Sequence, residues 1–379
     1  MSGAPAQCDS APRPLAIAHV TGEAGFSGGE VQLFLLLEGL RRRGDRGLLV
    51  CPPGSRAESM AASRGFDTRA VAMQSVFAPL ALLRIRRALR AARPDLVHLH
   101  SGRANWLGGL AAWSLGLPAL TTRRMDREVR RGSRTRLLYG RIARRAVAIS
   151  PAVRACLIAG GVPEARIRVI PSAVDPAALA PRRARDEIRR ELGAPPEAVC
   201  VLALAALVRR KGLDVLLDAL ARPALSGTSF HLWIAGDGPE RRALEARARA
   251  PDVAARVRFL GPREDKADLL GACDALVLPS RREGLGVAAL EAMACGRTVV
   301  ASRVGGLADA VVHERTGLLV PPEDPDALAA ALSRIVRDAP LRERLGAAGP
   351  ARIAEAFTAS QMCDAYARLY RELLAERTA

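Results

Sequence analysis

Short apolar runs alternate with amphipathic stretches along almost the whole chain. In the first half the runs fall at 15–20, 47–51, 96–99, near 119–121, at 146–150 and at 168–170. Between them lie helical patterns at 31–42, 80–92 and 106–115, and one from Pro151 to the glycine pair Gly160-Gly161. The second half repeats the plan, with runs at 199–204, 230–235, 257–260, 275–278, 298–302 and 318–320. Its helical patterns cover 213–221, 240–250 and 266–272, begin again at Pro325 and Leu341, and close at 360–376. Runs that are apolar throughout, rather than alternating, belong to strands buried on both faces. Strands of that kind separated by helices predict an α/β fold with parallel sheets.

Two segments break the pattern. Residues 123–145 form the densest basic run, and residues 175–187 (DPAALAPRRARDE) are rich in Pro, Arg and Ala. The second predicts a linker between two α/β domains, and two such domains leave a cleft of the kind small molecules prefer. The boundaries expected are a disordered stretch at 1–13, a first Rossmann-like domain at 14–178, a second at 179–357 and a terminal helix at 358–379.

Composition narrows the chemistry. Hydrophobic residues make up 49% and aromatics only 3%, so Ala, Val and Leu must fill the cores. Stacking platforms for single-stranded nucleic acid need more aromatic surface than that. The formal charge is +18 and nearly all arginine; Lys211 and Lys266 are the only lysines. Arginine is spread through the chain without a recognisable nucleic-acid module, so no nucleic-acid partner is expected. The charge suits anionic small ligands or an anionic bilayer. For 123–145 two readings stand: a solvated arginine-rich surface, or a patch for an anionic membrane or a phosphorylated glycolipid. Seven scattered cysteines with no C-x-x-C pair indicate neither a disulfide framework nor a zinc site. With no run long enough to span a bilayer and no signal-peptide core, the expected location is cytoplasmic, at most at the inner face of the cell membrane.

The candidate chemistry sits at strand ends. Ser27-Gly28-Gly29-Glu30 lies between a strand and a helix, where glycine lets backbone N–H groups approach an anion. His98-Leu99-His100 closes a strand. The reading here places the two imidazoles on opposite faces, His98 structural and His100 toward the cleft, without a metal. Lys211, before Gly212, puts an ammonium in a strand-to-helix loop that suits a diphosphate. The densest constellation is 280–309, SRREGLGVAALEAMACGRTVVASRVGGLAD. Glu283 precedes a helix behind Gly284-Leu285-Gly286, Glu291 lies within it, and Gly305-Gly306 follows the next strand. Carboxylates so placed suit vicinal hydroxyls of a ribose or sugar. Asp324-Pro325-Asp326 is the one D-x-D, and it reads as a helix cap.

These elements resemble the retaining GT-B glycosyltransferases of the large family-four group. The specific part is the E-x7-E element from Glu283 to Glu291, supported by Ser27–Glu30, Val97–His100, Lys211-Gly212, Ala235–Pro239 and Gly305-Gly306. The resemblance implies a metal-independent enzyme with no cofactor, and a UDP- or GDP-linked sugar donor held by the C-terminal domain. It implies that Lys211 neutralises the diphosphate, that Glu291 binds the ribose, and that Glu283 with Gly284, Leu285 and Gly286 holds the donor sugar and phosphate. Gly28 and Gly29 would approach the diphosphate, His100 would face the transferred sugar, and the terminal helix would return to the N-terminal domain. The acceptor, a glycan or glycolipid, is expected on the N-terminal side. The stretches 100–108 and 121–126 look like those of enzymes building lipopolysaccharide or other surface glycans. One departure stands out: Ala205-Ala206 replaces the usual Gly-Arg, so Arg209 or Arg210 is expected to take over a phosphate contact. The rival readings are a nucleotide-sugar epimerase on the same fold and a noncatalytic relative that binds sugar nucleotides.

Overall fold

The computed structural model describes residues 13–23, 25, 28–251 and 253–378. The expected disorder at 1–13 thus lies outside the described residues except for Arg13, whose guanidinium bonds Asp95 at 2.7 Å. Ser27 also lies outside them.

Thirteen strands are described. The first seven are β1 (Ala16–Val20), β2 (Arg46–Cys51), β3 (Asp67–Ala70), β4 (Leu96–Leu99), β5 (Ala119–Arg123), β6 (Arg145–Ala148) and β7 (Ile167–Val169). They form one sheet in the order β3-β2-β1-β4-β5-β6-β7. The remaining six are β8 (Cys200–Leu204), β9 (His231–Ala235), β10 (Val257–Gly261), β11 (Ala275–Leu278), β12 (Thr298–Ser302) and β13 (Gly317–Val320). Their order is β10-β9-β8-β11-β12-β13. Neighbouring strands run parallel, as apolar runs joined by helical crossovers require. The order reverses direction at β1/β4 in one sheet and at β8/β11 in the other, which is where doubly wound sheets bind ligands.

By compactness the chain divides into two units. One takes residues up to Thr121 with Gly140–Arg144 and Ala367–Ala379; the other takes Thr122–Tyr139 and Arg145–Tyr366. In the first, Ala18, Val20, Val50, Val97 and Leu99 pack against Ile85, Leu89, Leu107 and Ala111 from the crossover helices. In the second, Val201, Ile234, Val277, Val300 and Leu318 pack against Leu216, Leu220, Leu244, Leu328 and Leu332. Each such Val, Leu or Ile side chain contributes about 1.5–3 kcal/mol on burial. Aliphatic residues therefore supply nearly all of both cores.

Three stretches differ from the sequence reading. Helix Arg56–Ser63 and edge strand β3 were not expected; β3 reads DTRA and is mostly exposed, so it carries no apolar signal. The 175–187 stretch is no bare linker: a 3-10 turn at Pro176–Leu179 and helix Arg185–Glu191 occupy it. Arg189 of that helix is 1% exposed and donates to Asp274 and to the carbonyls of Ala272, Pro196 and Ala198. The basic segment 123–145 is not wholly solvated. It holds helix Ser133–Leu137 and a π turn at Leu138–Ile142, and it buries Val129, Leu138, Tyr139 and Ile142.

Candidate functional site

In the second unit, two loops at the β8/β11 switch point are locked together. Strand β11 ends at Leu278, before Pro279, and Ser280 behind it is fully buried. The loop after β8 makes a 3-10 turn at Arg209–Lys211 and ends at Gly212, whose φ is +65°. Arg281 N–H donates to the Arg210 carbonyl at 2.9 Å, tying one loop to the other. A Cβ on Gly212 would collide with the Pro279 carbonyl. Arg281 adds a bidentate grip on Asp214 at 2.7 and 2.8 Å and a bond to Glu323 at 2.8 Å. Its hydrogen bonds hold the Asp214 carboxyl below the usual carboxylate range.

The side chains of Lys211 and Glu283 meet across this junction as an ion pair, 15% and 12% exposed. Ser280 Oγ also lies 3.4 Å from the same Glu283 oxygen. The turn at Gly305-Gly306 holds Glu283 from behind. Gly306 N–H donates to the Glu283 carbonyl at 3.1 Å. Gly305 has φ +46°, and a Cβ there would strike that carbonyl. Both glycine turns expected from the sequence therefore pack against each other, and neither tolerates a side chain at the contact.

Gly286, at φ +82°, starts helix Val287–Ala294. Leu285 is 2% exposed, so its side chain belongs to the core and only its backbone faces the loop chemistry. Gly284 presents its carbonyl to Ser150 Oγ, which donates at 2.7 Å. Glu291 sits inside the helix, buried, and pairs with Lys266 at the start of helix Lys266–Ala272. The only two lysines of the chain thus each hold one of the two glutamates. Lys266 was read from sequence only as a helix start; its rarity was the signal that could have found it.

This arrangement changes the charge picture. Neither ammonium is free of a carboxylate, whereas Arg209 and Arg210 lie exposed on the turn beside Lys211. Ala206 is exposed as well, so the loop is open where an arginine was expected. An ammonium has three N–H donors and no acceptor, so Lys211 can hold Glu283 and still donate to an anion. Asp309, after the glycine pair, has its carboxyl pushed up by burial, an effect that the nearby Arg352 opposes.

In the first unit, β1 and β4 pair in a register that sets His19 opposite His98. The placement of His98 and His100 on opposite faces is wrong. Residues two apart in a strand share a face, and these two rings have centroids 3.9 Å apart. His19 Nδ1 lies 3.0 Å from His100 Nε2, one ring donating and the other accepting. His98 Nδ1 lies 2.7 Å from the Tyr370 hydroxyl. Three of the five histidines can each present a ring nitrogen within 4.8 Å of the other two. They also form a potential metal-ligand set, invisible to sequence spacing because His19 is remote from the other two. His19 and Tyr370 carried no sequence signal beyond the parallel alignment of β1 with β4.

Gly28 opens the 15-residue helix Gly28–Arg42, with Gly29 next. Among the described residues nothing lies within 4 Å of where a Gly28 Cβ would stand, which leaves that backbone open to an approaching ligand on their side. Asp324 caps helix Pro325–Arg337 by accepting from Ala327 N–H at 2.9 Å, as read from the sequence.

Two family models match the chain, "Glycosyltransferase Family 4" over residues 26–178 and "Glycosyl transferases group 1" over residues 184–352. The lipopolysaccharide core biosynthesis glycosyltransferase LpsD of Rhizobium meliloti is 35% identical over 189 residues, 50% of this chain and 54% of that protein. The D-inositol 3-phosphate glycosyltransferase of Streptosporangium roseum is 31% identical over 315 residues, 76% of this chain and 72% of that one. In most of these alignments the chain spans about half the length of the relative. The structure of HepE from Anabaena in complex with UDP-glucose superposes with a TM-score of 0.82 at 22% identity, covering 94% of this chain and all of that one.

Proposed function

This chain belongs to the group 1, family 4 glycosyltransferases, and on that premise we propose that it moves a sugar from a nucleotide-diphosphate donor to a glycan or glycolipid acceptor with retention of configuration. The observation that carries the reading is the pairing of both E-x7-E glutamates with the only two lysines, around an open arginine turn and a helix N-terminus.

In the proposed reaction the donor C1–O bond breaks and an acceptor hydroxyl forms the new C1–O bond on the same face. The hydroxyl proton passes to the departing phosphate oxygen. The protein then has to stabilise charge growing on the leaving diphosphate, and preoriented donors do this best. Lys211, the N–H groups of Gly284–Gly286 and the positive end of helix Val287–Ala294 supply them. Arg209 and Arg210 supply the charge that Ala206 lacks. Glu291, fixed by Lys266, accepts from the ribose hydroxyls; Glu283, fixed by Lys211, accepts from the donor sugar. In the other unit His100, held by His19, faces the transferred sugar, and Gly28 and Gly29 approach the diphosphate.

The HepE complex with UDP-glucose supports a UDP-linked donor over a GDP-linked one, and similarity to LpsD supports surface-glycan assembly. No helix among the described residues is long and apolar enough to cross a membrane. The buried thiols of Cys51, Cys200 and Cys273 are pushed up to about 11, 11 and 12 by desolvation.

A screen of UDP- and GDP-sugars for consumption, with and without glycan acceptors, tests the reading. One donor class should be consumed faster with acceptor present, and Glu283→Gln and Lys211→Ala should abolish it. Parent-like rates in both variants would overturn the site, and acceptor-independent conversion of the sugar would point to epimerisation.

A further inference from the structure

The first unit exposes large apolar side chains in one place. Phe77 is 78% exposed, Leu80 68%, Leu83 58% and Trp113 54%. Phe77 lies just before helix Pro79–Ala92, Leu80 and Leu83 fall in its first half, and Trp113 lies in the last turn of helix Gly102–Ser114. The first helix turns Ala81, Ile85 and Leu89 into the core at four-residue spacing. Leu80, Leu83, Arg84, Arg87 and Arg90 are left exposed on its other side. Arg86 Nε donates to Ser114 Oγ at 3.2 Å, which sets the residue next to Trp113 against the middle of this helix. The patch therefore has an apolar end, an indole at its border, and a row of guanidinium groups running along the same helix face.

Charge completes the picture. No Asp or Glu occurs between Asp67 and Asp95, or between Asp95 and Asp126. Both helices are acid-free, and the chain as a whole carries +18. Single exposed hydrophobics are ordinary, but a contiguous group marks a contact surface. A helix that offers leucines at one end and arginines along the same face fits the plane where acyl chains meet phosphates. The arginine stems lie along the apolar surface while their heads reach the phosphates. We propose that this face, Phe77 to Arg90 with Trp113, docks the protein on an anionic phospholipid bilayer.

The proposal moves the membrane contact away from 123–145. That segment turns Val129, Leu138, Tyr139 and Ile142 inward, and Arg131 is taken up by the Ala159 carbonyl at 2.8 Å. It is independent of the transfer reaction, and its test reads binding alone.

The test is flotation of the full chain with vesicles of phosphatidylcholine, with or without phosphatidylglycerol, at low and high salt. The protein should float with the anionic vesicles at low salt and not with the neutral ones. Phe77→Ser/Leu80→Ser/Leu83→Ser should cut the bound fraction about tenfold or more. Arg84→Ser/Arg87→Ser/Arg90→Ser should cut binding on the order of a hundredfold at low salt, each arginine counting several-fold near a charged surface. Arg134→Ser/Arg136→Ser should float like the parent. All these positions are exposed, so unchanged melting curves keep the comparison valid, and donor consumption in solution should not change. Absence of flotation, equal flotation by the apolar variant, or loss of flotation in the 134/136 variant would overturn the proposal. So would a dimer in light scattering that the apolar variant turns into monomer, because the face would then serve a second copy.

Discussion

The Lys211 ammonium and the Glu283 carboxylate are bound to each other across the junction of two loops, one following β8 and the other following β11. The pair is mostly removed from water, so deleting one partner strands the charge of the other. Lys211→Ala or Glu283→Ala should each cost about 1–3 kcal/mol of stability, below the fully buried limit because both side chains keep some exposure. The double variant should cost less than the sum of the singles. Denaturant midpoints over the cycle check this; strict additivity would mean the pair is not coupled.

Glu291 and Lys266 should separate from that pair in kinetics. Glu291 is expected to bind a part of the donor that does not react, so Glu291→Gln and Lys266→Ala should raise donor KM about tenfold, the worth of one charged hydrogen bond, with little change in kcat. Glu283→Gln should lower kcat, by roughly 10²–10³ if it acts on charge growing in the transition state. Steady-state constants for the three variants test the split, and a kcat loss shared equally by all would refute it.

The glycine contacts predict a different kind of damage. Gly212→Ala and Gly305→Ala each force a side chain into a left-handed backbone and into a carbonyl of the Glu283 loop. The backbone strain alone is worth about 1–3 kcal/mol. Gly28→Ala meets no neighbour among the described residues and should melt like the parent. Thermal melts of the three variants make the comparison, and a Gly28→Ala loss equal to the others would contradict it.

Acid sensitivity should concentrate at Asp274. Burial alone would raise its carboxyl. The Cys200 N–H, Arg185 at 2.5 Å and buried Arg189 at 2.7 Å more than offset that and hold it below the usual range. A carboxyl depressed in the folded state stabilises the fold above its unfolded pKa of about 3.9. That contribution is lost as pH falls through the lower folded value. Asp274→Asn should therefore cost about 2–4 kcal/mol at pH 7, since Arg189 is left without its anion, and the gap to the parent should close below about pH 4. Stability curves at several pH values would show it; a constant gap would not fit.

What the sequence shows depends on how local each signal is. Strand β11 is a short apolar run bounded by Asp274 and Pro279, and β8 and β12 are largely apolar runs of the same length class, so each is visible within its own few residues. The E-x7-E stretch carries its own glycine turn and helix start, so its local shape is legible. Edge strand β3 is polar because it has little core to face. The Glu291 partner, Lys266, lies 25 residues upstream on another helix and could be found only by folding the chain. The histidine cluster depends on β1 lying beside β4, and Tyr370 arrives from the last helix. Helix Arg185–Glu191 was hidden by an arginine that looks solvated in sequence and is buried by Asp274 and three carbonyls.

The central claim is that the loops holding Lys211, Glu283 and Glu291 bind a nucleotide diphosphate. Calorimetric titration of UDP and GDP into the parent, Glu291→Gln and Arg209→Ala/Arg210→Ala tests it most directly. The account predicts one-to-one binding of a nucleotide by the parent, weakened about tenfold in Glu291→Gln and at least as much in the double arginine variant. Binding by the parent that neither variant weakens would contradict it.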